Sequence, residues 1–118
     1  MNSEILKRRT QNNAVAIIKL ADKLPNKAAG WEISKQLIRC ANSVAANYRA
    51  ACRAKSRADF IAKLGIVEEE ADEVCYWIDV VNQAELVPKG TFDEVEKEAK
   101  EFVAIFTASR KTAKINNQ

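Results

Sequence analysis

The sequence contains no histidine, and its 118 residues include only three glycines, two prolines and three cysteines. Without histidine the chain lacks the commonest general base and the usual partner that activates a serine or cysteine nucleophile. The Glu-x-x-His pairs of a di-iron bundle are excluded for the same reason. Scarce glycine and proline leave little material for hairpin turns, and no Gly-rich phosphate loop is present. No uninterrupted apolar stretch approaches the roughly 20 residues that a membrane span needs. Lys7, Arg8 and Arg9 are followed by Gln11, Asn12, Asn13 and Lys19, which is not the apolar core of a signal peptide. The expected location is cytoplasmic. Cys40, Cys52 and Cys75 share no C-x-x-C spacing, and an odd count without a secretion signal argues against a disulfide framework. They are expected to be reduced thiols packed as small hydrophobes.

What is present is helical periodicity. Phe60, Leu64, Val67, Ala71, Val74, Ile78 and Val81 alternate in steps of four and three, the seam of a long helix packed nearly parallel to its neighbours. Ile61, Ile66, Cys75, Tyr76, Trp77 and Val80 lie off that seam, more apolar surface than one bundle core should use. The surplus predicts self-association. An earlier helix carries Leu6, Thr10, Asn13, Ile17, Ala21 and Leu24, with Ala14 and Ile18 widening the stripe, and stops at Pro25 and Asn26. Gly30 is expected to precede the second helix, which turns Ile33, Leu37, Cys40, Val44, Tyr48 and Ala51 inward. Ser56, with Asp59 three residues on, reads as the cap of the third helix. Thr91 and Glu94 read as a capping box for the fourth, which carries Phe92, Val95, Ala99, Phe102, Phe106 and Ser109. Helices are thus expected over about 3–24, 31–54, 57–86 and 92–114, with the tail from Lys114 to Gln118 frayed. The expected fold is one all-α domain over 1–118, an antiparallel up-down-up-down four-helix bundle.

Charge is unevenly spread. Residues 1–24 carry a net +3, residues 25–57 +6, residues 58–90 −6, and residues 91–118 balance, for a total of +3. The acidic run Glu68, Glu69, Glu70, Asp72 and Glu73 reads as a solvated or salt-bridging face, and no metal site or other cofactor is expected there. Arg49, Arg53 and Arg57 recur every fourth residue, with Lys55 beside them and Lys35 and Arg39 earlier on the second helix. Such a stripe can hold nucleic-acid phosphates; alternatively it pairs with the acidic third helix. Gln36, Arg39, Ser43 and Asn47 form a polar row one step from the apolar seam, where side chains commonly fix the register of a helix interface.

At this row the chain resembles the "four helix bundle protein" family, first noticed as reading frames inside intervening sequences of bacterial large-subunit ribosomal RNA genes. The resemblance is carried by Gln36-Leu37-Ile38-Arg39-Cys40-Ala41-Asn42-Ser43-Val44-Ala45-Ala46-Asn47, then Ser56 and Asp59-Phe60, with Leu24-Pro25 at the family's Phe-Pro break and Glu73 at its acidic position. Ala50-Ala51, Arg53 and Glu69-Glu70 depart from it by replacing glycines, which should lengthen the second helix. The resemblance implies a left-handed bundle assembled into a homopentameric ring without enzymatic activity. It also reaches the accessory variability proteins of diversity-generating retroelements, which are basic pentamers that bind a reverse transcriptase and nucleic acid.

Taken together, these features predict a non-enzymatic homo-oligomeric scaffold, a pentamer, that binds RNA or DNA or a nucleic-acid enzyme such as a reverse transcriptase. No membrane and no small-molecule substrate is expected. The candidate nucleic-acid residues are Lys35, Arg39, Arg49, Arg53, Lys55 and Arg57, and the candidate interface residues are Gln36, Ser43, Asn47, Tyr76 and Trp77. A protein-interaction adaptor that never touches nucleic acid is the alternative.

Overall fold

The computed structural model describes residues 1–116 and contains four α-helices: α1 (Ser3–Ala21), α2 (Ala28–Ala51), α3 (Arg57–Gln83) and α4 (Asp93–Asn116). Successive helices pack side by side and α4 returns to α1, which closes an antiparallel four-helix bundle about 49 Å long. The α1–α4 contact is the loosest of the four. No helix is long and apolar enough to cross a membrane among the described residues.

The α3 seam forms the centre of the core. Leu64, Val67, Ala71, Val74, Ile78 and Val81 are all buried, while Phe60 at the helix start is only half-covered. All six predicted inward residues of α2 are buried, and Ala41 joins them. Phe92, Phe102 and Phe106 supply the largest buried side chains, with Tyr48 stacked 5.0 Å from Phe106 in a tilted pair. On α1 the buried set is Leu6, Thr10, Ala14, Ile17 and Ala21. Asn13 sits at the flank instead, where its amide donates to the Val95 carbonyl at 3.4 Å. Ile18 faces outward and is 42% exposed. The buried Thr10 hydroxyl donates to the Leu6 carbonyl, so its polarity is satisfied within its own helix.

The helix ends follow local chemistry. Asn2 caps α1 by accepting from the Ile5 amide at 2.9 Å, and Ser56 caps α3 by accepting from the Asp59 amide at 3.0 Å. Asp59 accepts in turn from the Lys55 amide and pairs with Lys63, whose hydrogen bond holds the carboxyl below its ordinary range. The first three helices are each about three residues shorter at the C-terminus than their sequence pattern implies. In α1 and α2 the chain beyond the helix tightens into turns, Leu24 donating to Ala21 and Ala54 to Ala51. The glycine replacements around Ala50 therefore do not carry α2 past Ala51. In α3 a left-handed Glu85, φ 53°, lets the Leu86 amide bond back to Val81.

Two expectations are corrected at the opposite end. Gly30 does not precede α2; it lies inside the first turn, against the Pro25 carbonyl oxygen, where any Cβ would overlap that oxygen. Thr91 does not cap α4, because its hydroxyl donates to the Pro88 carbonyl at 2.6 Å within the turn. The helix starts at Asp93, after Gly90 with φ 93°. The tail expected to fray from Lys114 is helical through Asn116; Asn117 and Gln118 lie outside the described residues.

Candidate nucleic-acid interface

The antiparallel order brings three chain segments to one end of the bundle. They are the start of α1, the α2–α3 turn, and the end of α4. A cleft lined by Ser3, Tyr48, Cys52, Ser56, Arg57 and Phe60 shows that α1 begins against the α2–α3 turn. The end of α4 is fixed to α3 by Glu68, which accepts from Thr107 at 2.7 Å and from Arg110 at 3.4 Å. The Arg110 side chain passes beside Gly65, where even a Cβ would stand in ordinary contact with it. Residues 1–9, 49–63 and 107–116 together hold eleven basic and two acidic residues (+9), against eight and fourteen (−6) in the remainder.

Both acids at that end are already paired, Glu4 with Lys7 and Asp59 with Lys63. Arg49, Arg53, Lys55 and Arg57 are exposed, and none has an ion-pair partner among the described residues. The same holds for Arg8, Lys111 and Lys114. These last three were not among the sequence candidates. They lie some 40 residues or more from the stripe in sequence, and only the up-down topology unites them with it. Counting charge by bundle end instead of by segment finds them.

Two of the sequence candidates stand elsewhere. Lys35 is fourteen residues before Arg49 on α2, roughly 21 Å along the axis. Arg39 is engaged with α3, donating to Glu70 at 3.1 Å and pairing closely with Glu73. The Glu73 contact raises the Arg39 pKa further. The Glu73 carboxyl is lowered, first by the Trp77 indole that donates to it at 3.0 Å and then by Arg39. Opposite helix charges thus meet across α2 and α3 through one arginine, and the rest of the stripe is left free.

The acidic run is dispersed by its partners. Glu68 serves α4, Glu70 and Glu73 serve Arg39, and Glu69 and Asp72 face solvent. No cluster of three or more His, Cys, Asp or Glu side chains suited to a metal occurs among the described residues. The cysteines are free thiols. Burial pushes the Cys40 thiol up to about 12, and burial likewise raises Cys75, so both are held protonated and unreactive near neutral pH.

Along the side of the bundle the polar row of α2, Arg39 apart, is satisfied within the helix. Gln36 donates to Glu32 and accepts from Arg39, and Asn47 donates to the Ser43 carbonyl and hydroxyl. The surplus apolar surface of α3 is narrower than its sequence implies. Ile61, Cys75, Trp77 and Val80 are half-covered within the chain. Ile66 remains 43% exposed and Tyr76 58% exposed, the latter with its ring edge-on to Trp77 at 5.1 Å.

The fold defines a class: an all-α antiparallel four-helix bundle. The chain belongs to the 23S rRNA-intervening sequence protein family, whose model matches residues 3–108. It is also similar to a crystal structure of a protein of unknown function from the S23 ribosomal protein family of Bacteroides thetaiotaomicron VPI-5482, with a TM-score of 0.84 and 32% sequence identity. That alignment covers 94% of this chain and 99% of the other. No curated protein matches.

Proposed function

We propose that this chain is a self-assembling, non-catalytic scaffold that holds nucleic acid against the basic end of its bundle. The observation that supports this reading is the free cation set at that end. Arg49, Arg53, Lys55 and Arg57 are exposed and have no ion-pair partner among the described residues. Unpaired surface cations gathered in one place repel each other, a cost that a polyanion relieves. Assembly is supported by the exposed Ile66 and Tyr76 on α3, Tyr76 lying edge-on to the Trp77 ring that joins the Glu73–Arg39 pair; Gln36, Ser43 and Asn47 on α2 are candidates for the same interface. The resemblance favours a homopentameric ring, in which five basic ends would be presented together. A reverse transcriptase carrying nucleic acid would meet the same surface. A cytoplasmic setting suits such partners.

Light scattering tests the assembly: a pentamer has five times the 13.2 kDa of one chain, and a monomer at micromolar concentration would refute self-association. For the second half of the reading, RNA or DNA binding should weaken steeply from low to physiological salt. Replacing Arg49, Arg53 and Arg57 with Glu should abolish it. Binding that survives the triple replacement would place the site elsewhere, and no binding at low salt would favour the protein-only adaptor.

A further inference from the structure

Resting on the polyanion reading above, we infer that the basic end takes double-stranded nucleic acid, held through its phosphates alone and without regard to sequence or sugar. Two features of that end choose the duplex. The first is the width of the footprint. Arg8 lies in the second turn of α1, Lys111 and Lys114 in the last two turns of α4, and four more cations lie around the α2–α3 turn, so all four helices contribute charge toward one end of a bundle 23 by 20 Å in section. Twenty ångströms of duplex presents about twelve phosphates, against about six on one strand at the same rise. The seven cations, unpaired among the described residues, come from four helices and not from one line along a single helix, which suits the two phosphate rows of a duplex better than the one row of a single strand.

The second feature is the placement of aromatic rings. Single-strand binders gain much of their affinity by stacking bases on exposed aromatic side chains. At this end Tyr48 is buried against Phe106 and Phe60 is half-covered. The two well-exposed rings are remote. Trp31, 62% exposed, lies in the first turn of α2, roughly 27 Å along the axis from Arg49. Tyr76 stands nineteen residues along α3 from Arg57, roughly 28 Å. The exposed cations therefore have phosphates to meet and no platform on which to stack a base. Of the amide side chains at this end, Asn2 is committed to capping α1 and Asn116 stands alone at the tip of α4, so no pair of amides is set to read base edges.

The test compares a DNA duplex of about 20 base pairs, an RNA duplex of the same length, and either strand alone, by fluorescence anisotropy with the full chain across a salt series. Both duplexes should bind alike, their Kd rising about a thousandfold between 50 and 200 mM salt, with the single strands at least tenfold weaker. Replacing Arg8, Lys111 and Lys114 with Gln should make the log–log salt slope shallower by about 0.9 for each cation removed, with helicity unchanged by circular dichroism. Single strands that bind as tightly as duplexes would overturn the duplex inference and leave the polyanion reading standing. A tenfold preference between the DNA and RNA duplexes would overturn phosphate-only recognition. An unchanged slope in the triple variant would overturn the four-helix footprint, and failure of every nucleic acid at low salt would overturn the polyanion reading itself.

Discussion

The two ends of the bundle are closed in different ways. At the end formed by the α1–α2 and α3–α4 turns, apolar plugs and close backbone contact do the closing. Leu24 and Phe92 are buried, Leu86 and Val87 are half-buried, and Gly30 lies against the Pro25 carbonyl. Trp31 braces the first turn from outside by donating to Asn26 at 2.7 Å. At the other end a single turn, Cys52–Ser56, the start of α1 and the end of α4 carry cations that are unpaired among the described residues. One end concentrates stability, and the other carries charge that folding alone does not need. The difference separates what holds the fold from what is available to a partner.

The largest effects should come from the apolar end. Phe92 precedes α4 yet is fully buried, so its ring anchors the α3–α4 turn to the core. Phe92→Ala should cost about 4 kcal/mol of unfolding free energy by the lost transfer and the cavity left behind. Chemical denaturation would show it as a lower midpoint at unchanged slope. A cost under 1 kcal/mol would mean that the turn closes without its plug.

Gly30→Ala sharpens the same comparison. In an exposed helix interior alanine would gain about 1 kcal/mol over glycine. Here the added methyl meets the Pro25 carbonyl, and the α1–α2 turn must move to admit it. A net loss of about 2 kcal/mol is expected, as for other overpacked sites. A thermal melt in which the variant gains stability would show that the contact is slack.

How far the sequence disclosed this arrangement depended on the range of the interaction. The α3 seam was legible because each burial repeats a local period, and the same holds for the six inward residues of α2. Ser56 acts within three residues of itself, and that cap was legible; Asn2 caps α1 in the same way but was not read from the sequence. Gly30 misled because glycine ordinarily marks a helix boundary, whereas here the requirement comes from a carbonyl on the preceding turn. Thr91 misled because Pro88 offered its hydroxyl a closer acceptor than the helix did. Asn13 was placed in the core because a strict heptad drifts from a 3.6-residue helix over α1, and the structure buries Ala14 in its place. The stripe of Arg49, Arg53 and Arg57 was visible, but Arg8, Lys111 and Lys114 join it only through the return of α4 and the start of α1. That arginine 39 alone would be spent on α3 was not visible either, since it depends on the register between two helices.

The smallest effect concerns Arg57, and its sign matters more than its size. Arg57 is the first residue of α3, where the exposed amides already present partial positive charge. A cation there is misplaced for folding, while Asp59 two residues on, in the same turn, is well placed and is lowered by Lys63. Arg57→Glu should therefore stabilise the free chain by about 0.5 kcal/mol at low ionic strength, an effect that added salt screens away. Arg49→Glu is the control, because Arg49 sits in the last turn of α2, where a cation suits the helix end, and its loss should destabilise slightly. Both replacements should weaken nucleic-acid binding at low salt. Opposite signs in melting temperature with the same sign in binding would show that Arg57 is kept for a partner and not for the fold. If Arg57→Glu destabilises the free chain instead, the basic end has a structural role that its free cations do not reveal, and the contrast between the two ends fails.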